Sequence, residues 1–327
     1  MPNENLQTAH IATQSWDQIA DLTNETIDQL GQLKHCKNIV VTGSGQGIGF
    51  AIALLAAKHG HNVVIADLNE MLAEKAAAFI NSIDSPETGK ATWVKMDTSK
   101  LSDHELAVEK AVQAYGNLDV YLNVAGIDQV ELAGNISEEH MDRIWSVNIK
   151  GTQFGMQAAH KQFMIQRQNN PSAIYKIINT SSIASLMAFP MLAEYCMTKS
   201  AVTSLTKNFA LEWATDGITV NEFNPGIVAG PMWNHIASEM AAVTDKDQDT
   251  IFNGYVNNIP VGRAQLALDV AQSVLFLISS ASDYVTGNSL VTDGGVVLGS
   301  KFSHKTNFKN QLGDGHLQSF TEEITVK

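Results

Sequence analysis

Tyr195 and Lys199 stand four positions apart in the stretch EYCMTKS (194–200), one turn apart on a common face if that stretch is helical. A free phenol, with a pKa near 10, is too rarely ionised to serve as a base at neutral pH. An ammonium one turn away favours the phenolate, and the two then make a proton-transfer pair. The same spacing also suits ordinary packing, so the pair takes its meaning from what surrounds it. A Ser-Ser pair, Ser181 and Ser182, precedes it, separated by a largely apolar run that includes LMAFPMLA (186–193).

A second group of residues suits phosphate binding. The run VTGSGQGIGFAIA (41–53) places Gly43, Gly45, Gly47 and Gly49 between a strand-like run and a helical pattern. Glycines let the backbone turn tightly and approach a pyrophosphate, while a helix N-terminus offers amide donors and a favourable dipole. The spacing is T-G-x-x-x-G-x-G, because position 48 is isoleucine where G-x-G-x-x-G would need glycine. Asp67 follows Gly43 by 24 residues, at the end of the next strand-like run. An acid there can hydrogen-bond an adenosine ribose and would repel a 2′-phosphate. Neither Gln46 nor Leu68 and Asn69 offers a compensating cation, so the expected cofactor is NAD rather than NADP.

These residues need a scaffold, and the apolar pattern describes one. NIVVTG (38–43), NVVIAD (62–67), ATWVKMD (91–97), LDVYLNVAG (118–126), YKIINTSS (175–182), ITVNEFNPG (218–226) and SLVTDGG (289–295) read as strands, several of them continuously apolar as in a sheet covered on both faces. Helical patterns such as FAIALLAAKHG and MLAEKAAAFINS lie between them. Strand–helix alternation of this kind implies an α/β fold, a single Rossmann-type doubly wound parallel sheet with helices on both faces, over residues 37–299. An N-terminal extension (1–36), with Trp16, Ile19, Ile27 and Leu30 near helical spacing, is expected to form one or two helices. A C-terminal extension (300–327), with Phe302, Phe308, Leu312 and Phe320, is expected to pack on a neighbouring subunit.

Composition narrows the function. A net charge of −13, with arginine at positions 143, 167 and 263 alone, disfavours nucleic acid and other large polyanions. Cys36 and Cys196 stand far apart in no metal or redox spacing, and His59 and His61 lack further ligands nearby, so no metal site is expected. No apolar run reaches the roughly eighteen residues of a membrane span, and the acidic, amphipathic N-terminus is unlike a secretory signal. A soluble, cytoplasmic protein is expected.

Taken together, TGSGQGIG, the strand-end Asp67, MDTS (96–99), NVAG (123–126), Ser182 with Tyr195-x-x-x-Lys199, and NPGIV (224–228) occur in the order and spacing of the short-chain dehydrogenase/reductase family, of the type without catalytic metal. The resemblance spans about residues 38–298. Within the family the chain looks most similar to NAD-dependent acetoin/butanediol and sugar-alcohol (sorbitol-type) dehydrogenases. The resemblance implies that Tyr195 exchanges the proton with the substrate oxygen, that Lys199 lowers the tyrosine pKa and binds the nicotinamide ribose, and that Ser182 orients the substrate oxygen. Ser182 is chosen over Ser181 because it precedes Tyr195 by the family's interval of 13 residues. Asn148, in WSVNIKG, matches the family asparagine that holds a water linking Lys199 to solvent.

The resemblance further assigns the cofactor groove. Gly43, Gln46, Gly47, Ile48 and Gly49 would carry the pyrophosphate turn, and Asp67 and Leu68 the adenosine ribose. Asp97 and Thr98 would meet the adenine, Asn123, Ala125 and Gly126 would line the groove, and Pro225, Gly226 and Val228 would shape the nicotinamide pocket. Two positions depart from the family: Val124 stands where asparagine is common, and Gly230 where a threonine often holds the carboxamide.

Residues 183–194 are expected to line one side of a substrate pocket and PMWNHIASEM (231–240) to cover it, with Met187, Phe189, Met191 and Trp233 making it partly apolar and Asn234 or His235 available to hydroxyls. Neither segment contains arginine, which favours a neutral alcohol or ketone. Three readings stay open: a dehydrogenase of a small diol, hydroxyketone or sugar alcohol; a biosynthetic ketoreductase on a larger or carrier-bound ketone; and a non-catalytic NAD-binding regulatory protein. By resemblance the chain is a homotetramer.

Overall fold

The computed structural model describes residues 36–299. The expectations for the two extensions, including Trp16, Leu30, Phe302 and Phe320, lie outside the described residues. Seven strands, β1 (Asn38–Thr42), β2 (Asn62–Asp67), β3 (Ala91–Lys95), β4 (Val120–Asn123), β5 (Tyr175–Thr180), β6 (Ile218–Pro225) and β7 (Ser289–Thr292), form one parallel sheet in the order β3-β2-β1-β4-β5-β6-β7. Each lies within a run read as a strand from the sequence, and turns and side-chain contacts, some from distant parts of the chain, set the shorter ends. Gly43, Gly294 and Gly295 take positive φ and turn the chain out of the sheet. The Thr42 hydroxyl accepts the amides of Val124 and Ala125 at 2.9 and 3.0 Å, so the chain leaves β4 after Asn123. The Ser182 hydroxyl accepts the Ala184 amide at 3.1 Å and starts a short 3₁₀ turn beyond β5.

Alternation along the buried strands feeds two cores. Ile39, Val41, Val63, Ile65, Leu122, Ile178 and Phe223 pack beneath α1 (Gly47–Lys58), α2 (Glu70–Asn81) and the helix Ala267–Ile278. Val40, Val64, Tyr121, Ile177 and Val220 point the other way, beneath α3 (Leu101–Tyr115), the helix Gly151–Arg167 and the helix Ala193–Trp213. Burying a Val, Leu or Ile side chain is worth about 1.5–3 kcal/mol, so double-sided burial explains why these strands read as continuous apolar runs.

The remaining helices are α4 (Glu138–Trp145), α5 (Gly151–Arg167), α6 (Ala193–Trp213), α7 (Pro231–Ala242), α8 (Gln248–Val256) and α9 (Ala267–Ile278). Asn69, Ser137 and Asp247 cap α2, α4 and α8 by accepting amides two or three residues into the helix. Between α4 and α5 one turn, Ser146–Lys150, widens to π geometry around Asn148. The chain lays β1, β2 and β3 outward in one direction and then returns to place β4 on the other side of β1. At such a switch point the loops leave the strand ends in opposite directions and open a crevice.

His104 on α3 ties one wall of that crevice to the core. Its Nε2 lies 2.8 Å from the Thr98 carbonyl and its Nδ1 2.8 Å from the Tyr121 hydroxyl. A carbonyl can only accept, so Nε2–H donates to it and Nδ1 accepts from the tyrosine. Burial pushes the His104 pKa down to about 4, and burial acts likewise on His61, also to about 4. Both folded values lie below the unfolded 6.5. The contribution is therefore whole above pH 6.5 and is lost as pH falls from there toward 4. Urea unfolding is expected to show stability lower at pH 5 than at pH 7, by about 1–2 kcal/mol for His104, and His104→Gln is expected to diminish that pH dependence.

Candidate active site

A cleft of about 570 Å³ runs along the carboxyl ends of the strands from the glycine turn to α7. At one end, Gly43 has φ +62°, and a Cβ there would lie 2.7 Å from the Ala125 Cα. A Cβ on Gly49 would lie 2.3 Å from the Gly43 carbonyl oxygen, so this turn closes on α1 only with glycine at both positions. Gly47 faces open space at φ +60°, and α1 starts there with no side chain capping it at Gln46. Its first amides and dipole thus face the cleft without a side-chain cap.

Asp67 closes the rim. Its two oxygens accept the amides of Gly45 and Asn69, each at 2.9 Å, which fixes the carboxylate beside Leu68 at the edge of the cleft. Asp97, Thr98, Ala125, Gly126, Pro225, Gly226 and Val228 line the same space, with Gln46, Ile48 and Gly49. An uncapped helix start, open space at Gly47, and a carboxylate on the rim beside the glycine turn fit the end of a dinucleotide.

Asn123 departs from its expected place. It is buried on the opposite face, where its Nδ2 donates to Asn179 Oδ1 at 2.9 Å and its oxygen packs where a Cβ on Gly155 would fall. Strand alternation is the reason: Asn123 faces α5, and Val124, the next residue, reaches the cleft.

At the other end the cleft is lined by Ser182, Tyr195 and Lys199, and Asn148 lies behind them. Tyr195 and Lys199 share a face of α6, with the ammonium 5.5 Å from the ring centroid. Lys199 Nζ donates to the Thr180 carbonyl at 2.8 Å. Asn148 does not line the cleft. Its side chain accepts from the Ile127 amide and donates to the Ile127 carbonyl, both at 2.9 Å, and donates to Thr198 Oγ1 at 3.0 Å. Its amide is thus committed to bracing the turn at Gly126 and Ile127, and the π turn that aims it was not legible in the sequence. Ser181 turns away from the cleft's reacting end, its hydroxyl donating to the Lys199 carbonyl at 3.1 Å, whereas the Ser182 hydroxyl lies beside the Tyr195 phenol.

The electrostatics differ from the expectation that Lys199 would lower the tyrosine pKa. Burial drives the Tyr195 phenol well above 10, with the Ser182 hydroxyl pulling the other way and the Asp128 charge adding to the rise. Burial also lowers Lys199 to about 8, against the opposing pull of the Glu222 carboxylate. Desolvation is the largest cause of both shifts because both groups are almost wholly shut off from water.

The substrate end mixes the expected residues with others. Ile183, Ala184, Phe189, Leu192, Trp233 and His235 line it, and Trp233 packs against Tyr255 with ring centroids 4.8 Å apart and the planes tilted by 58°. Met187 lies outside the cleft, more than a third exposed, and Met191, at φ +69°, lines a second cavity with Pro190 and Tyr255. Asn234 is absent from the wall, and Gly230 borders it, with open space where a side chain would project. Arg143 also borders the cleft, from α4, a segment the sequence reading did not connect to it.

Glu222 and Asp128 were missed as well. Glu222 is an acid inside the strand run ITVNEFNPG, a signal of a buried carboxylate, and Asp128 follows NVAG at a strand's carboxyl end, where sites gather. Glu222 is fully buried behind α6 and accepts from Thr203 Oγ1 at 2.8 Å and Ser289 Oγ at 2.7 Å.

A family model described as Enoyl-(Acyl carrier protein) reductase matches residues 43–297. The chain belongs to the short-chain dehydrogenase/reductase family. It is an oxidoreductase that acts on CH–OH groups with a nicotinamide cofactor. A diacetyl reductase [(S)-acetoin forming] from Staphylococcus epidermidis is 40% identical over 264 residues, covering 80% of this chain and 98% of the relative. An L-2,3-butanediol dehydrogenase from Corynebacterium glutamicum is 38% identical over 261 residues, with 80% and 98% covered. Among solved structures, a 3-ketoacyl-(acyl-carrier-protein) reductase from Brucella melitensis complexed with NADH superposes with a TM-score of 0.69 at 31% identity, covering 80% of this chain and 98% of that one.

Because the Glu222 carboxylate opposes the effect of burial, Glu222→Gln is expected to move the Lys199 ionisation below about 8. NMR titration of methyl-labelled lysines would read this directly; an unmoved Lys199 would show that the carboxylate does not act on it.

Proposed function

We propose that the protein is an NAD(H)-dependent reductase and dehydrogenase of small neutral hydroxyketones and diols. The observation that carries this reading is the meeting of Ser182, Tyr195 and Lys199 at one end of a cleft whose other end presents Asp67. The relatives named as diacetyl reductase and butanediol dehydrogenase support the same substrate class. An acidic rim at Asp67, without a cation among Gln46, Leu68 and Asn69, supports NAD over NADP.

When bound, the nicotinamide would supply the hydride in reduction and accept it in oxidation. Gly43, Gln46, Gly47, Ile48 and Gly49 would hold the pyrophosphate, Asp67 and Leu68 the adenosine ribose, Asp97 and Thr98 the adenine, and Ala125, Gly126, Pro225, Gly226 and Val228 the groove toward the nicotinamide. In reduction, Tyr195 O–H donates to the substrate carbonyl oxygen and transfers its proton there as the C–H bond forms. Ser182 fixes that oxygen beside the phenol. Lys199, anchored on Thr180, would offer its remaining protons to the ribose of the bound cofactor and partly offset the charge left on the phenolate. Asn148 keeps the Gly126–Ile127 turn in place beside Lys199.

A phenol held protonated by burial suits the reductive direction at neutral pH, and oxidation must first draw that proton off. A nicotinamide-absorbance assay with acetoin, diacetyl, 2,3-butanediol and sorbitol tests the reading. Turnover with NADH or NAD, and oxidation accelerating as pH rises, is expected. Tyr195→Phe is expected to keep NADH binding and to lose at least about a hundredfold in turnover. Turnover with NADP(H) alone would remove the Asp67 argument, and unchanged turnover in Tyr195→Phe would remove the proton-transfer role.

We also propose a homotetramer. Exposed Trp145, Ile165, Met197 and Leu211 on α4, α5 and α6 support self-association. Light scattering is expected to give about four times the 35.4 kDa chain; a stable monomer would end this reading.

A further inference from the structure

Asp128 has no part in the proton transfer described above, yet it sits at the reacting end of the cleft. It follows Gly126 by two residues, on the loop leaving β4, and lines the same space as Ser182 and Tyr195. Its side chain is only 6% exposed, and its Oδ1 lies 2.9 Å from His235 Nδ1 on α7. Among the described residues no other residue's donor is hydrogen-bonded to this carboxylate, so Oδ2 keeps its lone pairs for something else. The charge is close enough to Tyr195 to help raise the phenol, after burial. His235, by contrast, is more than half exposed and joins the pair from the helix that covers the substrate end.

We propose that Asp128, held in place by His235, determines specificity by accepting a hydrogen bond from a substrate hydroxyl near the reacting carbon. This rests on the hydroxyketone and diol reading and sharpens it. A carboxylate accepting from His235 offers lone pairs and no proton, so it pairs with a hydroxyl and finds no partner in a second carbonyl oxygen. It repels a carboxylate at the same place. A methylene there leaves a nearly buried anion facing apolar carbon, which costs more than the lost hydrogen bond alone. The apolar neighbours Phe189, Leu192 and Trp233 accept the rest of a short carbon skeleton. The substrate class selected is the short, neutral ketone or alcohol that carries an adjacent hydroxyl.

Acetoin, diacetyl and 2-butanone share a four-carbon skeleton and differ at the position that Asp128 would read. NADH-driven reduction of all three is compared in the unaltered enzyme, in Asp128→Asn, in Asp128→Ala and in His235→Ala. The unaltered enzyme is expected to favour acetoin. In Asp128→Ala, kcat/KM for acetoin is expected to fall about 10- to 100-fold, and that for 2-butanone less than about threefold. Asp128→Asn, whose amide can donate, is expected to move the acetoin-to-diacetyl ratio toward diacetyl, and His235→Ala to raise the KM for acetoin with a smaller change in kcat. Loss of the Asp128 charge also acts on Tyr195, but equally for all three substrates, so the ratios isolate recognition. Equal losses on acetoin and 2-butanone, or no loss on acetoin, would overturn the role of Asp128 and leave the hydroxyketone reading standing. No turnover of any of the three by the unaltered enzyme, with NADH still bound, would overturn both.

Discussion

The site depends on one desolvated cation. Lys199 is almost wholly buried at the crossing of β5 and α6, anchored to the Thr180 carbonyl, and its charge is held against burial by Glu222. An ammonium in such a place is stable only if carbonyls and carboxylates are already positioned around it. Thr180 ends β5, Glu222 lies in the middle of β6, and Lys199 is carried by α6, so three elements must be in register for the charge to survive. The polar contacts that run from Glu222 through Thr203 and Ser181 back to the Lys199 carbonyl tie those elements together.

That constraint explains the polarity of the strand ends. Buried polar residues occur along both strands, Lys176 in β5 and Thr219 and Asn221 in β6, and Asn179, Thr180 and Asn224 gather at the carboxyl ends under α6, with Glu222 just below them. Buried polar groups need partners, and several find them here: Asn179 Nδ2 donates to Thr206 Oγ1 on α6 at 3.0 Å, and Asn224 Nδ2 to the Ser182 carbonyl at 3.2 Å and Ser185 Oγ at 3.1 Å, while Thr180 Oγ1, Glu222 Oε2 and Asn224 Oδ1 have no hydrogen-bond partner among the described residues. The same network therefore sets the position of the serine beside Tyr195. The cleft is the place where this polar end of the sheet meets the open switch point between β1 and β4.

Much of the fold was legible because double-sided burial leaves a strong mark. NIVVT, NVVIAD and YKIINT can hardly be placed except in a covered parallel sheet, and the glycines at 43, 47 and 49 have no equally good use outside a tight strand-to-helix turn. Strand ends were less legible. They are decided by side chains from elsewhere, as when Thr42 takes the amides of Val124 and Ala125. Asn123 shows the limit most clearly. Its type and motif pointed to the groove, and the pleat turned it to Asn179 on the other face.

By itself the sequence determined the alternation of strands and helices, the glycine turn with its acid at the next strand end, and the one-turn spacing of Tyr195 and Lys199. These are local properties, set by periodicity, by the conformational freedom of glycine, and by helical geometry. Tertiary structure alone decided which surroundings the charges meet. It buried Tyr195 and Lys199 deeply enough for desolvation to dominate their ionisation, placed Glu222 behind the lysine from a strand 23 residues later in the chain, and joined Asp128 to His235 across 107 residues. A pKa and a long-range hydrogen bond depend on solvent exclusion and on groups remote in the chain, and neither exists until the sheet and its helices have closed around them.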